Sequence, residues 1–154
     1  MADSLRERIR RESTDALKAG DKVRLGALRM LSAAVVNREK DVLHELSDDE
    51  VRDVAAKEVK KRTESIEAFD GAGRTELADR ERAERDAIAP FAPEALPDAE
   101  VDAIIDEAFA ATGASSPRDM GAVMRSVMDR VKGRADGAEV QRKVRARLGS
   151  ETAT

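Results

Sequence analysis

Aromatic residues are almost absent from this chain: Phe69, Phe91 and Phe109 are the only ones among 154 residues, with no Trp or Tyr. A hydrophobic core must therefore be built from Ala, Leu, Ile, Val and Met, within a hydrophobic fraction of 41%. Strand-forming aromatic residues are scarce, whereas the helix formers Ala, Arg and Glu flank nearly every apolar position. The composition predicts an all-α protein.

The sequence gives little indication of a metal site, a reactive cysteine or a membrane span. The chain has no cysteine and a single histidine, His44, so it lacks a disulfide framework, a thiolate metal site and a cysteine nucleophile. A zinc site would need three or four carboxylates, which zinc seldom uses, and we expect neither metal nor cofactor. Met1 leads into a charged helical pattern without a signal peptide, and the longest apolar run, Ala33–Val36, is too short to span a membrane. We expect a cytoplasmic protein.

Capping residues and helix breakers divide the N-terminal part into four helices. Gly20 suits the left-handed position that ends a helix, and Asp21 can cap the next one. Ser47 and Glu50 have the spacing of a capping box, in which each side chain bonds the other residue's backbone amide. The helices are predicted over residues 4–18, from Asp21 to about Val42, from Ser47 to the GAG stretch at 71–73, and over 75–88. Helical spacing predicts inward positions in the first helix at Leu5, Ile9, Ala16 and Leu17.

A proline-rich segment, PFAPEALP at residues 90–97, contains three of the four prolines. Proline lacks the amide donor and restricts its predecessor, so no helix continues through this segment. We expect an ordered crossover that joins two helical lobes: an N-terminal domain of helical hairpins at 1–89 and a three-helix domain at 98–148. Residues 149–154 are predicted to be a disordered tail.

The C-terminal lobe is predicted to contain helices at about 98–111, 117–132 and 137–148. Ser116 can cap the middle helix with Pro117 at its first position, and Asp136 can cap the last helix. A carboxylate at that helix start would repel a phosphate, so any anion contact must come from side chains. The inward positions follow helical spacing: Met120, Val123, Met124, Val127, Met128, Val131, Val140, Val144 and Leu148.

Charge is distributed unevenly over this lobe. Residues 90–120 hold seven acidic residues and one basic residue, whereas residues 121–148 hold eight basic and three acidic residues, on a protein of net charge −4. Part of the basic charge can be neutralised by the neighbouring acidic helix, but its density exceeds what helix capping requires. The negative overall charge argues against DNA binding, and the lack of aromatic residues argues against stacking of unpaired bases. Two binding partners of the basic region remain: the backbone of folded RNA and an acidic protein surface.

Three segments resemble the GatB/YqeY family of small bacterial proteins: AGDKVRLGALRMLSAAVVNREKD (19–41), ESIEAFDGAGRTELADRERAE (64–84) and TGASSPRDMGAVMRSVMDRVKGRADGAEVQRKVRARL (112–148). The GRTEL and KGRAD motifs carry the resemblance. It implies an all-helical protein whose C-terminal lobe is similar to the tail domain of the B subunit of tRNA-dependent amidotransferases. In that enzyme the tail helps to hold the tRNA body, while the chemistry occurs elsewhere.

The family-level label is carbon–nitrogen ligase activity with glutamine as amido donor, yet the sequence holds no catalytic constellation. It has no cysteine nucleophile, no glycine-rich phosphate loop and no Ser–Ser–Lys arrangement, so we assign no catalytic residue. We expect a non-catalytic, tRNA-binding accessory protein. The alternative is a protein-interaction module whose charged hairpin at 47–88 docks to an amidotransferase or another translation partner without RNA, and homodimerisation stays open. The predicted RNA-binding residues are Arg125, Lys132, Arg134, Arg142, Lys143 and Arg145.

Overall fold

The computed structural model describes residues 3–152, with side chains described through Gly149. Within this range the chain forms seven α-helices, two short 3₁₀ turns and no β-strand, which confirms the all-α prediction. The chain separates into two compact units that divide between Pro93 and Glu94. The helices are α1 Leu5–Ala19, α2 Lys22–Val42, α3 Asp48–Gly71, α4 Thr75–Ile88, α5 Asp98–Thr112, α6 Met120–Val131 and α7 Gly137–Thr152.

The helix ends in the first unit follow the predicted capping chemistry. The Glu50 amide donates to Ser47 Oγ at 3.2 Å, and the Ser47 amide donates to Glu50 Oε1 at 3.1 Å, which confirms the capping box. Gly20 ends α1 with φ of 70°, in the region that favours glycine. Asp21 caps α2, since its carboxylate accepts from the Arg24 amide at 3.1 Å.

The core of the first unit is mainly aliphatic and is formed by residues of α1, α2, α3 and α4, together with Phe91. The inward prediction was wrong for Leu17, which is 59% exposed, while Ala16 is 1% exposed. Consecutive helical residues are about 100° apart, so Leu17 lies beyond the edge of the narrow face of α1 that buries Leu5, Ile9 and Ala16. The buried core residues include Leu5, Ile9, Ala27, Leu28, Leu31, Val35, Leu46, Val51, Val54, Ala55, Ile88 and Phe91.

The core of the second unit uses the predicted stripes on α6 and α7. Val123, Val127 and Val131 are buried with Val140, Val144 and Leu148, and the three methionines of the α6 stripe are partly buried against them. These observations confirm the interpretation of the methionines as core residues. No helix among the described residues combines the length and the apolar character needed to cross a membrane.

The proline-rich segment 90–97 is divided between the two units. Phe91 is buried in the first core, and Leu96 packs against the second. At the other end of the second unit, α7 continues to Thr152, and so includes part of the range for which a disordered tail was predicted. Residues 153 and 154 lie outside the described residues.

Candidate nucleic-acid interface

Two ion pairs connect the acidic helix α5 to the basic helix α7. Lys143 Nζ donates to Asp102 Oδ1 at 2.8 Å, and Arg147 Nη1 donates to Asp106 Oδ1 at 2.5 Å. The acids are four residues apart and so are the bases, so each pair lies one helical turn from the other. The Arg147 guanidinium also lies 4.1 Å from the centre of the Phe109 ring. We call these two pairs the α5–α7 ladder; they neutralise one flank of α7.

Lys143 therefore differs from the other predicted RNA-binding residues. Its hydrogen bond with Asp102 raises the pKa of the Lys143 ammonium above its ordinary value, because the bond stabilises the charged form. A third pair joins α6 to α5, between Arg130 and Glu107. Part of the basic charge is thus balanced inside the unit.

Arg134 lies in the turn between α6 and α7, where it anchors the start of the second unit. Its Nε donates to the Glu94 carbonyl at 2.8 Å, and its own carbonyl accepts from the Leu96 amide at 2.8 Å. The residue is exposed, and its two Nη groups make no hydrogen bond within the described part of the chain. Arg134 thus has a structural role and still presents charge to solvent.

The same turn positions Lys132 and occupies the start of α7. Lys132 ends α6 in the left-handed region with φ of 46°, followed by Gly133 with φ of 77°. Asp136 Oδ1 accepts from the Ala138 amide at 3.1 Å, which confirms the predicted cap. A carboxylate therefore lies where a phosphate would bind the helix N-terminus, and anion contacts are left to side chains.

Four predicted residues form what we call the basic face. Their side chains are exposed and make no ion pair or hydrogen bond with any other described residue. On α6, Arg125 lies opposite the buried valines, and Lys132 directly follows the end of this helix. On α7 the other two lie away from the flank that carries the α5–α7 ladder. The basic face consists of Arg125, Lys132, Arg142 and Arg145.

Comparison with known proteins identifies the family. A family model described as Yqey-like protein matches residues 6–148. The chain belongs to this family. The match includes both units and the whole basic face. A relative, the protein named "Altered inheritance of mitochondria protein 41, mitochondrial" of Pyrenophora tritici-repentis, is 26% identical over 147 residues, covering 94% of this chain and 81% of that protein.

The paired serines of this Yqey-like protein have a backbone role. The Asp119 carboxylate accepts from the Ser115 amide at 2.9 Å and from the Ser116 amide at 3.2 Å, and these bonds lower the pKa of Asp119. The middle helix starts later than the predicted residue 117: Pro117–Asp119 is a 3₁₀ turn, and α6 begins at Met120. This turn holds the segment that leads into the basic face.

One buried charge in the α3–α4 hairpin was missed by the sequence analysis. Arg62 is 6% exposed, and its Nη1 donates to Glu58 Oε2 at 2.8 Å. Its Nε lies 3.7 Å from Glu84 Oε2 on α4. Arg62 sits within a charged run that is typical of a solvated surface. Its position gave the signal for its burial, because it falls on the apolar stripe of α3, three residues after Val59 and four before Ile66.

The described residues contain no group of three or more His, Asp or Glu side chains arranged to hold a metal ion. The second unit instead exposes unpaired cations of α6, its C-terminal turn and α7, whose valines form the buried aliphatic stripe. Such an arrangement can bind phosphates or carboxylates by charge, without bond-making chemistry.

Proposed function

We propose that this Yqey-like protein is a cytoplasmic, non-catalytic accessory protein that binds folded RNA, tRNA above all, through the basic face of its second unit. The observation that carries the proposal is the state of four cations: Arg125, Lys132, Arg142 and Arg145 are exposed and unpaired among the described residues. Other cations of the unit, such as Lys143 and those paired with Asp106 and Glu107, are engaged. Arg134, whose Nε donates to the Glu94 carbonyl, contributes its two Nη groups.

The chemistry of the basic face suits a phosphate backbone better than bases. Arginine binds phosphate oxygens in a bidentate manner, and three of the four residues are arginines. The chain has no Trp or Tyr, and base stacking normally uses aromatic rings. The face would thus recognise the shape of a folded RNA. The resemblance to the amidotransferase tail, which holds a tRNA body, supports the same assignment. On this proposal any amidation is carried out by a partner.

Titration of tRNA binding against salt tests the proposal. Each phosphate contact releases counterions, with a slope in log K of about −0.7 to −0.9 per contact. Four contacts give a slope of about −3 to −4, and a loss of roughly 100-fold in affinity between about 50 and 200 mM salt. An affinity for tRNA that hardly changes over this range would rule out backbone contacts by the basic face.

A double variant makes the test specific to the face. Arg142→Ala with Arg145→Ala should reduce the magnitude of the salt slope by about 2 and leave thermal unfolding nearly unchanged, because both side chains are exposed. The matched control is Arg38→Ala with Arg74→Ala, two exposed arginines of the first unit that make no ion pair with described residues. Equal losses in the two double variants would show that only net charge matters.

A protein-docking role is the second candidate. The α3–α4 hairpin exposes 39% of Leu77, at the start of α4. A partner that covers this apolar side chain would remove it from water. On this proposal the hairpin docks to an amidotransferase or another translation partner. Pull-down of such a partner that resists nuclease treatment, and that is lost in Leu77→Gln, would favour docking over RNA binding.

A further inference from the structure

A cleft of about 300 Å³ lies between α1 and α2 in the first unit. Its floor is apolar, because Ile9 and Val35 lie there and are each 2% exposed. Its walls carry three arginines, two hydroxyl groups and a half-exposed valine. These wall residues are Arg6, Arg10 and Ser13 on α1, and Arg29, Ser32 and Val36 on α2.

Each wall of the cleft is formed by one face of a single helix. Helical positions separated by three or four residues lie on the same side, which aligns the three wall residues of each helix. Only Gly20 and Asp21 separate α1 from α2, so the two helices run in opposite directions. Leu17, one turn beyond Ser13 on the same face, is 59% exposed, and Val36 is 42% exposed. The cleft is therefore an elongated groove with exposed apolar side chains towards both ends.

The charge of the groove is positive and largely unbalanced. Arg6 is held by Glu39, to which its two Nη groups donate at 2.6 and 2.7 Å. Arg10 and Arg29 are exposed and make no ion pair or hydrogen bond through their side chains with any described residue. No carboxylate is among the residues that line the cleft. Two unpaired guanidinium groups thus lie above an apolar floor.

We propose that this groove docks an acidic amphipathic helix of a partner protein. A helix laid against two antiparallel helices places apolar residues at i, i+3, i+4 and i+7 into the groove between them. Here those residues would contact the exposed Leu17 and Val36. Carboxylates beside the apolar stripe would pair with Arg10 and Arg29, which supplies the charge complementarity that selects such a helix.

Two other ligand classes fit the groove less well. A nucleic-acid backbone would cover the apolar floor and the exposed Leu17 and Val36 with charged and polar groups, and the groove has no aromatic ring for base stacking. A small anion would be expected in a pocket with buried charged side chains, whereas Arg10 and Arg29 are exposed. The docking site lies in the first unit and does not depend on the basic face of the second.

Fluorescence anisotropy with a synthetic peptide tests the proposal. The probe is a fluorescein-labelled peptide of about 15 residues, comparable to α1 in length, with Leu along one helical face and Glu on both sides of it. A peptide of the same composition in scrambled order serves as the control for charge alone. The amphipathic peptide should bind, and the scrambled peptide should bind roughly tenfold more weakly, because it cannot place its leucines together.

Three double variants of the full-length protein locate the site. Arg10→Glu with Arg29→Glu should weaken peptide binding by about tenfold or more, since it replaces attraction by repulsion. Leu17→Gln with Val36→Gln should weaken it by roughly three- to tenfold and leave its salt dependence unchanged. Arg38→Glu with Arg74→Glu makes the same change in net charge away from the groove and should alter binding by less than about twofold. If the glutamate pair lowers the melting temperature, Arg10→Ala with Arg29→Ala replaces it and should still weaken binding.

Three results would overturn the proposal. Equal losses in the groove and control charge reversals would show attraction to net charge only. Unchanged binding in Leu17→Gln with Val36→Gln would exclude docking of an apolar helix face. Loss of duplex RNA binding in Arg10→Glu with Arg29→Glu, with peptide binding intact, would assign the groove to nucleic acid.

Discussion

Removal of one carboxylate should make RNA binding by the second unit tighter. Asp102 holds Lys143 in the α5–α7 ladder through a 2.8 Å hydrogen bond, and the Asp102 side chain is 59% exposed. Asp102→Ala deletes the competing anion and leaves the ammonium on the flank of α7, beside Arg142. Lys143 then becomes available as an additional phosphate contact. Exposed ion pairs contribute about 0–1 kcal/mol to stability, so the fold should persist.

The expected gain follows from the salt dependence of one contact. One phosphate contact adds about 0.9 to the magnitude of the slope of log K against log salt concentration. Between about 1 M and 0.1 M salt, this contact therefore increases the affinity roughly eightfold. Asp102→Ala should therefore bind tRNA up to about eightfold more tightly than the natural chain at this salt, with a slope steeper by about 0.9. Fluorescence anisotropy with labelled tRNA at graded salt measures both quantities in one series.

Two further variants decide whether Lys143 causes the gain. Glu100→Ala removes the same charge from an exposed residue of α5 that makes no ion pair with described residues, so its slope should stay unchanged. Lys143→Ala should have little effect alone, but should abolish the gain when combined with Asp102→Ala. If Asp102→Ala and Glu100→Ala tighten binding equally, the ladder does not withhold Lys143 and the reasoning is wrong.

Two predictions concern the first unit. Arg62→Ala should destabilise it by about 1–3 kcal/mol, because it removes the buried cation shared by Glu58 and Glu84 and leaves them only the solvent-exposed partners Lys61 and Arg80. Lys61→Ala should cost less than about 1 kcal/mol, since Lys61 is 72% exposed. Urea unfolding followed by circular dichroism compares the two variants, and equal costs would refute the role of burial. The pKa of Glu39 is lowered, mainly by its hydrogen bond with Arg6. The stability that ionised Glu39 contributes is therefore fully present above the unfolded pKa of about 4.3, and it is lost as pH falls through the lower pKa of the folded state. Glu39→Gln should flatten the fall in urea midpoint over this acidic range, and a curve parallel to that of the natural chain would contradict the assignment.

Local signals in the sequence specify the helices of both units. Gly20, Asp21 and Ser47 act through the backbone of their own neighbours, so their effects do not require knowledge of the tertiary structure. The valine stripes of α6 and α7 likewise follow from helical spacing, and all of these were predicted correctly. The error at Leu17 has a local cause: adjacent helical residues are about 100° apart, and spacing alone does not show how wide the buried face of a helix is.

The contacts that were not predicted join residues far apart in the chain. Arg62 and Glu84 lie on different helices, and nothing in either local sequence indicates that they meet. The α1–α2 groove has the same origin, since Arg10 and Arg29 become one surface only when the two helices pack. For the basic face, the sequence supplied the candidate residues, and the pairing of Lys143 with Asp102 required the structure.

The distribution of paired and unpaired cations has a consequence for specificity. The net charge is −4, so long-range attraction to a polyanion is weak, and binding must rely on local clusters of cations. In the second unit Asp102, Asp106 and Glu107 of α5 are engaged in ion pairs. Asp129 and Glu139 lie on the same helices as the basic face and offset part of its charge, but its four cations outnumber them. The face is therefore locally positive, although the protein as a whole is not basic. Counterion release grows with the number of phosphates that contact unpaired cations. A folded RNA whose backbone reaches several of these cations at once should therefore bind more tightly than an RNA of another shape.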